Sequence, residues 1–94
     1  MSVYVDEMLP CIRNANWPYN KSCHLVAVSF QELHTFAKEL GLKRAWFHYQ
    51  SGLPHYDLTT RMRRKAIRLG ATPIGREELV LIMRIYRQRA EKGK

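Results

Sequence analysis

Residues 23–41 read CHLVAVSFQELHTFAKELG, and this stretch decides the fold. Its first part, residues 24–28, has hardly any polar alternation, which predicts a strand that is buried on both faces. Ser29 is a natural N-cap, Glu32 completes a capping box, and Gly41 supplies the left-handed stop at the end of a helix. The apolar stripe of that helix, at i, i+3, i+4 and i+7, consists of Leu33, Phe36, Ala37 and Leu40.

Further strands and helices extend this unit on both sides. Short strands are predicted at residues 3–5, 44–49 and 55–58, an edge strand at 71–74, and helices at 59–69 and 76–91. The strand, helix and strand at residues 24–49 are the size of a parallel, right-handed βαβ unit. We therefore predict an α/β or α+β fold: a small sheet of about four to five short strands, with a βαβ unit and three helices in a single layer.

The length of 94 residues leaves room for one domain, residues 1–94, with a long loop at 7–23 and a basic tail at 90–94. A hydrophobic fraction of 46% excludes a disordered chain. The N-terminus lacks the layout of a signal peptide, and no apolar run approaches the ~18–20 residues of a membrane span, so no membrane contact is expected. Cys11 and Cys23 are too few for a disulfide scaffold and lack zinc spacing, which favours a reduced, cytoplasmic setting.

Basic charge is concentrated in the last third of the chain. Residues 1–60 carry five basic and five acidic side chains, whereas residues 61–94 carry eleven basic and three acidic ones, which accounts for the whole net charge of +8. Clustered charge creates a local field that dispersed charge does not. The asymmetry therefore predicts a polyanionic partner, a nucleic acid or a nucleotide.

One face of the helix at residues 59–69 is strongly basic. Like charges at helical spacing repel each other, and an anion that lies along the face would remove this repulsion. We therefore expect phosphate contacts, with no preference between DNA and RNA. The alternatives are a protein partner and a solvated face whose arginines pair with Glu32 or Glu39. The basic residues, at i, i+3, i+4 and i+7, are Arg61, Arg64, Lys65 and Arg68.

A second set of polar residues has the chemistry of a catalytic site. His55 and Asp57 are two apart in an extended stretch, so their side chains share one face. His24 begins the buried strand and Asp6 follows the first one, but the sequence does not give the strand order that would bring the four together. If they converge, His24, His55 and Asp57 can act on a phosphodiester, or the set can bind a divalent metal such as zinc, manganese or iron. No specific motif identifies a cofactor.

Structural roles compete with these assignments. Asp57 can cap the helix that follows it, and His24 and His34 can be hydrogen-bonding residues at the boundary of the core. Cys23 beside His24 suggests a thiol nucleophile, but no third group that would orient the pair is evident.

Two further segments offer contact surfaces. Trp17 and Tyr19, in the long loop, can stack on bases or pack back onto the sheet. The last helix has a wide apolar side over residues 79–86, which predicts either core packing or the seam of a homodimer.

The chain resembles a family of small, uncharacterised bacterial and phage domains of unknown function. The resemblance covers roughly residues 3–75, and its most specific part is the Pro-His-Tyr-Asp-Leu-Thr string at 54–59. It implies no activity, substrate or catalytic set. The matching segments are Tyr4-Val5-Asp6, Cys23-His24-Leu25, Glu32-Leu33-His34, Trp46-Phe47, residues 52–59 and Ala66-x-x-x-Gly70-Ala71.

These observations favour a small basic domain that contacts the phosphates of a nucleic acid or nucleotide through its arginine-rich helix. The first alternative is a phosphodiesterase or nuclease that uses His24, His55 and Asp57. The second is a phage accessory protein that binds a host protein, and it rests on size and on the family resemblance.

Overall fold

The computed structural model describes residues 2–49 and 52–92, which form one α+β unit. Six strands and three α-helices lie within these residues, together with a single 3-10 turn at Arg44–Trp46. The helices are α1 (Phe30–Leu40), α2 (Thr60–Arg68) and α3 (Arg76–Lys92). The strands are β1 (Val3–Val5), β2 (Leu9–Pro10), β3 (Lys21–Ala27), β4 (Phe47–His48), β5 (His55–Leu58) and β6 (Thr72–Pro73).

The sheet is mixed and has β3 at its centre. Its strand order is β4-β5-β3-β1-β6, and β2 pairs with the first residues of β3. β3 is antiparallel to both β1 and β5, β4 is antiparallel to β5, and β6 is parallel to β1. Since β5 is antiparallel to both of its neighbours, β3 and β4 run in the same direction. The predicted βαβ unit is therefore present in a split form, with β5 between its two strands.

One face of the sheet packs against α1 and α2. Alternate residues of the central strands point to this face, where Val5, Leu25 and Leu58 are completely buried. They contact the apolar stripe predicted for α1 and Ala66 of α2. This layer is the larger of the two cores.

The opposite face packs against α3, so the helices form two layers rather than the predicted single layer. Val26 and Tyr4 point away from α1 and contact Ile82 and Tyr86 of α3. The hydroxyl group of Tyr86 donates a hydrogen bond to the carbonyl oxygen of Ala27, which fixes α3 on the sheet. The prediction failed because an uninterrupted apolar strand needs cover on both faces, and only α3 is available for the second.

The ends of α1 confirm the predicted capping, with one difference. The hydroxyl oxygen of Ser29 accepts the N–H of Glu32 at 3.4 Å, and Gly41 has the left-handed φ of 95°. The Glu32 carboxylate, however, accepts the backbone N–H of Ser2 at 2.9 Å. Only half of the capping box forms, and the other half becomes a contact that holds the start of β1.

Several predicted boundaries change. The loop predicted at residues 7–23 contains β2 and the start of β3, and residues 44–46 form the 3-10 turn instead of a strand. α3 extends to Lys92, so residues 90–92 of the predicted tail are helical, while residues 93 and 94 lie outside the described residues, as do residues 50 and 51 of the predicted turn.

The exposed side of α3 carries three apolar residues among its charged ones. Val80, Leu81 and Ile85 are 38%, 55% and 36% exposed, whereas Ile82 and Tyr86 are buried against the sheet. The homodimer seam at residues 79–86 stays a prediction, and only the exposed side of α3 can form it. Within the described residues, no helix is both long and apolar enough to cross a membrane.

Replacing Ile82 with Ala tests the second helix layer. The Ile82→Ala substitution should lower the free energy of unfolding by about 2 kcal/mol or more, because it leaves a cavity between α3 and Val26. Leu81→Ala, at the exposed neighbouring position, should change it by less than about 0.5 kcal/mol. Urea unfolding followed by circular dichroism measures both, and equal losses would contradict the assignment of α3 to this face.

Candidate functional site

The pairing of β3, β4 and β5 brings three histidines and an aspartate together. His24 lies directly opposite Asp57 in the β3–β5 pair, and His48 lies opposite His55 in the β4–β5 pair. Residues opposite each other in antiparallel strands share a face of the sheet. These four are on the face that α3 covers, next to the part where it packs on Tyr4 and Val26. The convergence that the sequence left open is therefore present.

Asp6 orients His24 from the end of β1. One carboxylate oxygen of Asp6 accepts the backbone N–H of His24 at 2.5 Å, and the other lies 2.7 Å from Nδ1 of the imidazole. Asp6 is buried, and Nε of Arg63 donates to its backbone carbonyl oxygen at 2.8 Å. The hydrogen bond to Asp6 raises the pKa of His24 above its usual value, although burial of the ring lowers it.

His55 is held by the backbone two residues before it. Its Nδ1 lies 2.6 Å from the carbonyl oxygen of Leu53, and its side chain is 11% exposed. A carbonyl oxygen only accepts hydrogen bonds, so Nδ1 carries the proton and donates it. The other ring nitrogen, Nε2, faces Asp57.

Asp57 lies between two imidazoles. Its Oδ1 is 3.4 Å from Nε2 of His55, and its Oδ2 is 3.3 Å from Nε2 of His48. The hydrogen bond to His55 lowers the pKa of Asp57, and the charges of the neighbouring histidines add to this effect. The alternative role of Asp57 as a helix cap is wrong, because the hydroxyl oxygen of Thr59 accepts the N–H of Met62 and caps α2.

One ligand atom from each of His24, His55 and Asp57 lies within 4.8 Å of the other two. Two imidazoles and a carboxylate are a donor set that zinc, iron and manganese accept. The rings of His24 and His55 meet edge to face, with centroids 4.7 Å apart. The geometry thus brings the three predicted catalytic residues into one cluster.

A cleft of about 530 Å³ opens beside this cluster. Asp57 and His48 belong to its wall, and the long loop before β3 forms the opposite side with Trp17 and Tyr19. These two aromatic rings meet edge to face at 5.2 Å, and the indole N–H of Trp17 donates to the carbonyl oxygen of Lys21. The remaining lining residues are Asn16, Pro18, Ala45, Trp46 and Thr59.

A second cavity, of about 420 Å³, lies at the start of α2 and is basic. Lys21, Arg61 and Arg64 line it, together with Asn20 and Thr60. Tyr19 and Thr59 line both cavities, so the basic cavity adjoins the cleft beside the histidine cluster. We call this second cavity the basic pocket.

The predicted basic face divides into two parts. Arg61 and Arg64 line the basic pocket, while Nζ of Lys65 donates to the carbonyl oxygen of Leu40 at 3.2 Å and thereby caps α1. Arg68 is exposed in the last turn of α2, away from the pocket lining. Ion pairs of these four with carboxylates are absent from the described part of the chain, so the alternative pairing with Glu32 or Glu39 does not form there.

The other candidates take structural positions. Cys23 points into the core between the sheet and α1, and burial raises its pKa to about 12, which leaves the thiol protonated and unsuited to nucleophilic attack. Nδ1 of His34 lies 2.9 Å from the hydroxyl oxygen of Tyr56, and its ring packs on Phe47. His34 is thus a hydrogen-bonding residue at the boundary of the core, as one interpretation of the sequence predicted.

Three residues of this region were not predicted from the sequence. His48 and Lys21 line the cleft and the basic pocket, and Arg63 holds Asp6. Pairing of β4 with β5 across the turn at Gly52 would have revealed His48 opposite His55, but a two-residue strand has little sequence signal. Lys21 is found only through the proximity of the start of β3 to α2.

Comparison with known proteins identifies a family without an activity. A family model described as "Protein of unknown function (DUF4031)" matches residues 3–86. No curated protein and no solved structure shows a significant match to this chain.

Removal of the Asp6 carboxylate should lower the pKa of His24. The Asp6→Asn substitution replaces a charged acceptor with a neutral one, while burial of the ring still disfavours the imidazolium. In chelator-treated protein, NMR titration should place the pKa of wild-type His24 above 6.5 and that of the variant below the wild-type value. The fraction of His24 that is protonated at pH 7 should therefore be lower in the variant than in wild-type protein. An unchanged titration would show that Asp6 does not control this imidazole.

Proposed function

The chain belongs to the DUF4031 family, whose description assigns no activity, and from the site itself we propose that this domain binds nucleic acids or nucleotides by their phosphates. The basic pocket receives a phosphate, and the adjoining cleft receives the sugar and base. The observation that carries the proposal is the convergence of Lys21, Arg61 and Arg64 in one cavity next to an aromatic cleft.

The charge of the pocket supports phosphate binding. Arg61 and Arg64 come from the first two turns of α2 and Lys21 from the start of β3, so elements distant in sequence supply the same charge to one place. A guanidinium group offers a planar fork of donors that matches phosphate oxygens. The start of α2 adds its own partial positive charge to the same cavity.

The aromatic cleft supports recognition of a base. Tyr19 and Trp46 line the cleft and are 49% and 50% exposed, so part of each ring is accessible, although Nζ of Lys43 lies over the ring of Trp46. Stacking on aromatic side chains tolerates every base, which suits single-stranded nucleic acid or a free nucleotide. A base in the cleft and a phosphate in the basic pocket would be in contact with Tyr19 and Thr59, which line both.

Neutralising the pocket should weaken binding more than neutralising another surface. The double substitution Arg61→Gln and Arg64→Gln should lower affinity for a labelled single-stranded oligonucleotide at least about tenfold at ~0.1 M salt. It should also reduce the slope of log K against log salt by about 0.7, because the contact with one phosphate is lost. Fluorescence anisotropy over a salt series, with DNA and RNA probes of equal length, measures both quantities.

The matched control is the double substitution Arg84→Gln and Arg87→Gln on α3. It removes the same charge from exposed positions outside the pocket lining, so only the general electrostatic attraction decreases. Equal losses in the two double variants would mean that net charge, rather than the pocket, causes binding.

A second candidate function is the hydrolysis of a phosphodiester by the histidine cluster. The observation that favours it is the position of Asp57 and His48 in the wall of the same cleft that adjoins the basic pocket. Hydrolysis adds a water oxygen to phosphorus, breaks one P–O ester bond and transfers the proton of the water to the departing oxygen. Imidazole and carboxylate groups at the cleft wall can accept and return that proton.

Product formation from labelled oligonucleotides, with and without divalent metals, tests this candidate. Wild-type protein should release shorter products, and His55→Ala should abolish them while His34→Gln retains them, because His34 lies against Tyr56 outside the cluster. Turnover that survives His55→Ala would remove the assignment. Binding without turnover would leave phosphate binding as the function of the domain.

A further inference from the structure

We propose that His24, His55 and Asp57 form a binding site for a divalent transition-metal ion of the zinc type, in which Asp6 and the carbonyl group of Leu53 orient the two imidazoles. The site rests on the geometry of the cluster alone and does not require phosphate to bind in the basic pocket. His24 is on β3 and the other two ligands are on β5, so the central pair of strands holds the donor set.

The first argument is the tautomer of each imidazole. Leu53 accepts a hydrogen bond from Nδ1–H of His55, and the ionised carboxylate of Asp6 accepts one from Nδ1–H of His24. In each neutral ring the lone pair is then on Nε2. Metal-binding histidines have this arrangement, with one nitrogen bound to the metal and the other N–H donated to a carboxylate or a backbone carbonyl.

The second argument is the distance between Nε2 of His55 and the carboxylate of Asp57. Nε2 of His55 lies 3.4 Å from Oδ1 of Asp57, and the proton of this imidazole is already donated to Leu53. A second proton on the ring lets Nε2 donate to this carboxylate, and a metal ion between the two atoms can take the place of that proton. The separation of the two atoms is that of neighbouring ligands around one ion, since ligands at ~2.0–2.1 Å in a tetrahedral site are about 3.3 Å apart.

The third argument is access. The side chains of His24 and Asp57 are 33% and 31% exposed, whereas His55 is at the buried side of the cluster. The three ligand atoms lie within 4.8 Å of one another. A small inward movement of the His24 ring, the more exposed of the two imidazoles, would therefore complete the coordination of one ion. Three protein ligands leave a coordination position for water, which is the arrangement of catalytic rather than structural zinc sites.

The donor types select the class of metal. Two imidazole nitrogens and one carboxylate oxygen suit zinc, and cobalt can replace it as a coloured probe, whereas calcium takes six to eight oxygens. His48 contacts the second oxygen of Asp57 at 3.3 Å and stacks on His55, which makes it a positioning residue for the carboxylate.

Titration of the untagged, metal-free chain with Co²⁺ or Zn²⁺ alone tests the site. Wild-type protein should bind one equivalent, with visible d–d absorption for Co²⁺ and a raised Tm for Zn²⁺. His24→Ala, His55→Ala and Asp57→Asn should each weaken binding at least about a hundredfold. Asp6→Asn, which removes only the orienting group, should weaken it about 10–100-fold. His34→Gln is the control, because it removes an imidazole outside the cluster and should leave the affinity unchanged.

The variants separate loss of the site from loss of the fold. Asp57→Asn keeps the size of the side chain, and far-ultraviolet circular dichroism in the presence of chelator verifies that each variant is folded. Failure of folded wild-type protein to bind one equivalent, equal weakening by His34→Gln, or an intense thiolate-to-cobalt band from Cys11 or Cys23 would each overturn the proposal. No nucleic acid is present in this experiment, so its outcome is independent of phosphate binding.

Discussion

The hydrogen bonds of the Asp6 carboxylate are the constraint on which the rest of this site depends. This buried group accepts both the backbone N–H and the ring N–H of His24, and Arg63 of α2 binds the carbonyl oxygen of the same residue. β1, β3 and α2 therefore meet at one aspartate. A buried carboxylate is tolerated only when its oxygens are hydrogen-bonded, so its partners must hold their positions whenever the chain is folded.

The alternation of side chains along β3 separates the residues that pack in the larger core from the residue that belongs to the candidate site. Cys23, Leu25 and Ala27 point towards α1 and α2 and are buried there, whereas His24 and Val26 point to the other face. α3 covers Val26 on that face, while the histidine cluster beside it adjoins a cleft. The second helix layer thus explains why a central, buried strand also carries a partly exposed imidazole.

α2 illustrates how one basic helix can serve the fold and a ligand at the same time. Arg63 and Lys65 donate to backbone carbonyl groups of Asp6 and Leu40, which anchors the helix to β1 and α1. Arg61 and Arg64 instead line the basic pocket. Charge counting along the sequence cannot separate these roles, because both pairs contribute equally to a net charge. The direction of each side chain depends on what the rest of the fold places beside it.

The sequence by itself determined the local structure: the caps of α1 at Ser29 and Gly41, its apolar stripe, and the shared face of His55 and Asp57 all follow from spacing over a few residues. Tertiary structure alone decided the position of α3, the approach of Lys21 to α2, and the convergence of Asp6 and His24 with the pair on β5. The physical reason is the distance along the chain over which each interaction acts. Capping and periodicity act within a helical turn or a strand, whereas a site built from four strands depends on their order, and that order is set by burial of both faces of the sheet at once.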